Sequence, residues 1–79
     1  MSTLTRVAEI LAIPESFVVT VVEAGIVEMH DGVELEHVVE RVRVSWCLQE
    51  ELGVNIAGIE VALHLLSVID RDRRILGGR

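Results

Sequence analysis

Lysine and tyrosine are absent from this chain, and its only aromatic rings are Phe17 and Trp46. Single-stranded nucleic acid is gripped by several exposed rings on which bases stack, so two rings disfavour that class. A single cysteine, Cys47, rules out an internal disulfide framework, as expected of a reducing compartment. It falls inside a helical pattern and reads as a small core residue. A reactive thiol needs basic neighbours that lower its pKa, and Arg43 one turn away offers little. No long apolar run is present either. The longest, residues 56–69, is interrupted by Glu60 and His64 and is too short to span a bilayer. Residues 1–11 carry Glu9 and lack the long apolar centre of a signal peptide. A cytoplasmic protein without a membrane segment is expected.

What the chain has in quantity is aliphatic residues and acid. It is 79 residues long, one domain's worth, and 51% of them are hydrophobic. A domain of this size leaves a large fraction of its surface outside the core. That much apolar material therefore predicts a second chain, either another copy or an obligate partner. Charge is unevenly divided. Residues 1–60 hold eleven carboxylates against Arg6, Arg41 and Arg43, a balance of −8. Residues 61–79 hold Asp70 and Asp72 against Arg71, Arg73, Arg74 and Arg79, a balance of +2. Duplex-binding domains gain most of their affinity by neutralising phosphates. A body at −8 repels DNA and attracts a basic protein.

Four helices are predicted. Ser2 or Thr3 caps the first, residues 4–11, whose Leu4, Val7, Ala8 and Leu11 recur at helical spacing. Ala12 and Ile13 turn the chain, and Pro14 suits the first position of a second helix reaching residue 24, with Gly25 as its stop. The β-branched run from Val18 to Val22 is poor helix material and makes strand a competitor. The start and stop signals, with no period-two alternation, favour helix. His30-Asp31-Gly32 between residues 26–29 and 33–35 predicts a minimal hairpin, with Asp-Gly supplying positive φ. A third helix is expected over residues 36–52, with Leu35, Val38, Val39, Val42 and Trp46 in one stripe. Gly53 ends it. Asn55 caps a fourth, residues 56–76, apolar nearly all round in its first half. The segment 70–74 reads as solvated and capable of salt bridges, and residues 77–79 as frayed.

No Gly-rich phosphate loop, nucleophile elbow or Cys/His/Asp triad appears, and Glu50 and Glu51 are adjacent on a helix and point apart. The expected protein is not an enzyme and uses no cofactor. His30, His37 and His64 lack metal-ligand spacing and read as surface residues, so no metal is expected. Trp46 reads as packing between helices. Glu9, Glu15, Glu23, Glu28, Asp31, Glu34 and Glu36 surround the first two helices and the hairpin with only Arg6 to offset them. They form the candidate partner-binding face. Ile59, Leu63, Leu66 and Ile69 form a row on the fourth helix that reads as dimer interface or core.

Helix, proline turn, helix, short hairpin and two further helices is the order of the MerR-type winged helix-turn-helix. Glu23-Ala24-Gly25-Ile26-Val27 resembles the exit of that family's second helix. Glu40-Arg41-Val42-Arg43, followed by Glu51-Leu52-Gly53-Val54-Asn55-Ile56-Ala57-Gly58-Ile59-Glu60, is similar to its third-to-fourth helix junction. Two branches come nearest, the heat-shock repressor HspR and the chaperone modulator CbpM. The run from Gly58 to Leu66 is most like the modulator. The resemblance implies one all-α domain over residues 1–79: a helix-turn-helix at 1–25, a reduced wing at 26–35 and a helical pair with a dimerisation surface at 36–76.

DNA-binding members carry an Arg-Tyr-Tyr cluster in the second helix, where this chain has Val19, Thr20 and Val21. Their wing carries arginines, a glycine and a tyrosine. Here Met29-His30-Asp31-Gly32 stands between Glu28 and Glu34. These departures disfavour the alternative reading, a MerR- or HspR-like DNA-binding transcriptional regulator. The modulator branch implies a homodimer that binds the J-domain of a DnaJ-like co-chaperone and blocks its access to Hsp70. A J-domain presents a strongly basic second helix, to which an acidic body is complementary.

Overall fold

The computed structural model describes the backbone of residues 2–76, with the side chains of residues 70 and 73–76 left out. The expected fraying of residues 77–79 and the salt bridging of Asp70, Arg73 and Arg74 lie outside the described residues. Four helices follow one another: α1 (Thr3–Leu11), α2 (Glu15–Glu23), α3 (Leu35–Leu52) and α4 (Ile56–Leu76). The fold is all-α.

Each boundary has a local cause. Ser2 is extended, and its hydroxyl accepts the Thr5 N–H at 3.1 Å, satisfying one of the donors exposed at the start of α1. Ala12 then takes the left-handed conformation (φ 57°, ψ 45°) and donates to the Glu9 carbonyl, while the Ile13 N–H reaches the Ala8 carbonyl at 3.1 Å. This is a Schellman closure with alanine where glycine is usual. Pro14 stands one residue earlier than expected. Its ψ of 135° puts it outside α2, and its carbonyl accepts the Phe17 N–H. The same closure ends α2: Gly25 (φ 78°) donates to the Val22 carbonyl and Ile26 to that of Val21.

The valine-rich segment is helical because burial outweighs propensity. Val18 and Val21 are fully buried and Phe17 nearly so. Burying one such side chain contributes about 1.5 kcal/mol or more, against a propensity cost of up to about 0.7 kcal/mol per residue. With Val7, Ala8, Ile26, Val27, Val38, Val42, Ile59 and Leu63 they form the core. Phe17 and Trp46 meet edge to face, ring centres 4.9 Å apart at 75°, and fasten α2 to α3.

Residues 24–34 correct one expectation. Among the described residues no strand forms, so the expected hairpin is only a turn. The Val33 N–H donates to the His30 carbonyl at 3.2 Å, but only Gly32, not Asp31, has positive φ. The turn that joins twisted strands with an Asp-Gly pair needs positive φ at both central residues, so this one does not launch a ladder. Ile26 and Val27 sink into the core instead.

Three residues, 53–55, connect α3 to α4. Gly53 is left-handed, and the Asn55 Oδ1 accepts the Gly58 N–H at 2.8 Å as the predicted cap. Ser45, fully buried within α3, is satisfied by donating to the Arg41 carbonyl.

An acidic surface and a groove beside helix four

All eleven carboxylates of residues 1–60 are exposed. Of the seven predicted for partner binding, three line openings in the surface and four do not. Glu28 and Glu34 line one groove, together with Glu40, which sequence reasoning left out. Asp31 lines a smaller cleft on the other side of the turn, with Thr3, Arg6 and Leu35. Glu15 accepts a hydrogen bond from Thr5 Oγ1 at 3.0 Å and so ties α2 to α1. Glu9, Glu23 and Glu36 line neither opening.

Of the cations in residues 1–60, Arg6 and Arg43 are exposed as well and Arg41 is not. Arg41 is half-buried; its guanidinium donates to Ser67 Oγ at 3.2 Å and to the Ile26 carbonyl at 3.4 Å, joining α3, α4 and the turn. Ser67 in turn donates to the Leu63 carbonyl. Arg43 makes a two-pronged ion pair with Glu40, at 3.1 Å and 2.5 Å. That hydrogen bond, and then the charge of Arg43, hold the Glu40 carboxyl below the usual glutamate range, while the Arg43 guanidinium is pushed up. The bridging role of Arg41 was not foreseen. The available signal was its place at the edge of the α3 stripe, one turn from Val38 and next to Val42.

The groove lies between residues 25–34, the first half of α3 and the second half of α4. Its apolar lining comes from Ile26, Val33, Val44, Leu63 and Leu66, and His30, His37 and Ser67 line it as well. Glu28, Glu34, Glu40 and Arg71 stand along it, with Arg41 bound across it.

The predicted dimer row on α4 is divided. Ile59 (0% exposed) and Leu63 (2%) are core residues, because they face α3 and the turn. Leu66 and Ile69 are about half exposed, as are Val61 and Leu65. The outward apolar face of α4 is therefore Val61, Leu65, Leu66 and Ile69. Glu60 and His64 fall beside it.

His30 Nδ1 donates to the Asp31 carbonyl at 2.8 Å, a local contact that closes the turn. Among the described residues no group of three His, Cys, Asp or Glu side chains could hold a metal ion. Cys47 is unpaired and half-buried. No helix of the described residues is long and apolar enough to cross a membrane.

Compared with known protein families, curated proteins and solved structures, the chain matches none.

Proposed function

We propose that this chain is a cytoplasmic chaperone modulator of the CbpM kind, a binding protein rather than an enzyme. It occupies the basic surface of a J-domain and keeps that co-chaperone from Hsp70. The observation that carries this reading is the contrast between acid and base. Every carboxylate of residues 1–60 faces solvent, against three arginines, of which Arg41 is half-buried and donates to Ile26 and Ser67, and Arg43, itself exposed, is paired with Glu40. A surface so arranged draws in a basic protein and speeds encounter with it.

The positions at which a DNA-binding relative grips phosphate support the same reading. Val21 is fully buried, Val19 is half-buried, and Thr20 directs its hydroxyl to the Ser16 carbonyl at 2.8 Å. In the place of the wing the chain offers Glu28, His30, Asp31 and Glu34. The order of helices, with α1 and α2 joined through Pro14 and a turn before α3, agrees with a reduced MerR-like domain. The outer face of α4 pairs two copies, since four half-exposed aliphatic side chains in a row leave apolar surface for a second identical stripe.

The test is a calorimetric titration with a J-domain at low and moderate salt, with duplex DNA in parallel. Salt-sensitive J-domain binding without DNA binding is the expected result. DNA binding without J-domain binding would replace this reading with the transcriptional regulator.

A further inference from the structure

The groove beside α4 gives the acidic surface a specific shape. Its accessible apolar lining is Val33, Val44 and Leu66, over buried Ile26 and Leu63, and His30, His37 and Ser67 also line it. Two of its carboxylates, Glu28 and Glu34, come from the turn and the start of α3. The third, Glu40, already holds Arg43. Of the two arginines, Arg41 is directed inward to the Ile26 carbonyl and Ser67, which leaves Arg71 as the cation on the α4 wall. Arg41 also links the turn, α3 and α4, so the walls are tied to one another before anything binds. Partly exposed apolar side chains beside free carboxylates suit a basic amphipathic helix, and walls fixed in advance lower the cost of docking it.

We propose that this groove receives one amphipathic helix of a protein partner. The apolar face of that helix rests on Val33, Val44 and Leu66, and its basic flank meets Glu28 and Glu34. The site rests on the modulator reading for the partner's identity, but not for its own chemistry. It moves the contact from the helix-turn-helix face to the turn, α3 and α4. Arg71 opposes a basic ligand and sets a limit on affinity.

The experiment uses the full chain and a helical peptide with leucines at i, i+3, i+4 and i+7 and lysines on both flanks, read by fluorescence anisotropy. Glu28→Lys/Glu34→Lys is expected to weaken binding about tenfold or more, and Arg71→Glu to tighten it several-fold. Val61→Ser/Leu65→Ser, on the outer face of α4, is expected to leave it unchanged. Loss of binding in the outer-face variant with no effect of the rim reversals would overturn the groove. So would equal affinity in all four proteins. The J-domain is titrated against the same set. A J-domain that binds but ignores Glu28 and Glu34 overturns the groove and leaves the modulator reading standing. A peptide that follows the pattern while the J-domain does not bind supports the groove and removes the modulator reading.

Discussion

Replacing Ala12 with glycine is expected to stabilise the chain, although it removes a methyl group and a better helix former. Two helices end in the same hydrogen-bonded closure, α1 with Ala12 at the left-handed position and α2 with Gly25 there. A Cβ in that conformation crowds the following carbonyl and costs roughly 1–2 kcal/mol. Glycine removes this cost but makes the unfolded chain more flexible, which returns about 0.4–1 kcal/mol. Ala12 is exposed and contributes no buried surface, so no packing term enters. The net gain is about 0.5–1 kcal/mol, or a Tm rise of roughly 2–8 °C in a domain this small. Gly25→Ala is the mirror experiment. Nothing lies within 4 Å of the Cβ it would add, so a loss of comparable size there isolates backbone strain from steric contact. Thermal and urea unfolding followed by far-ultraviolet circular dichroism would measure both. Destabilisation by Ala12→Gly would refute the left-handed turn between α1 and α2 and with it the relative placement of those helices.

Asn55→Ala removes the cap on the Gly58 N–H and should cost about 1 kcal/mol by urea unfolding. A double-mutant cycle of Phe17→Leu and Trp46→Leu should return a coupling of about 0.5–1.5 kcal/mol from the edge-to-face pair. Arg43 depresses the Glu40 pKa in the folded chain, so this pair favours folding above the ordinary glutamate pKa, and that contribution is lost as pH falls through the lowered value. In an NMR titration Glu40 should therefore have a midpoint below that of an ordinary glutamate, and Arg43→Gln should raise it.

Signals that act within a few residues were legible in the sequence. Ser2, Gly25, Gly53 and Asn55 each stand at a helix end for a reason contained in their own chemistry, and α4 has the expected bounds. The turn at residues 30–33 was legible as a turn but not as a failed hairpin. Asp-Gly permits several geometries, and the burial of Ile26 and Val27 is a tertiary event. Period likewise could not tell which apolar residues of α4 face the body. Ile59 and Leu63 bear on α3 only because three residues close that hairpin, whereas Val61 and Leu65 face away. Glu40 and Arg41 join or span a groove made by segments distant in the chain, and no local pattern marks such a meeting.

Helix α4 presents both proposed surfaces, and the turn of the helix determines how far they are independent. At 3.6 residues per turn, Leu66 lies about 60° from the core residue Leu63, while Leu65 and Val61 lie about 160° from it on either side. Leu66 thus lines the groove and also borders the outward apolar face. Three variants should separate accordingly. Val61→Ser/Leu65→Ser should reduce self-association, read by sedimentation equilibrium, and spare partner binding. Glu28→Lys/Glu34→Lys should do the reverse. Leu66→Ser should weaken both, since half of that side chain is exposed and its removal takes apolar area from each contact. If Leu66→Ser altered only one of the two readouts, the surfaces would not share that side chain. If the outer-face variant abolished partner binding, the partner would dock on the outside of α4 or require the dimer, and the groove would lose its role.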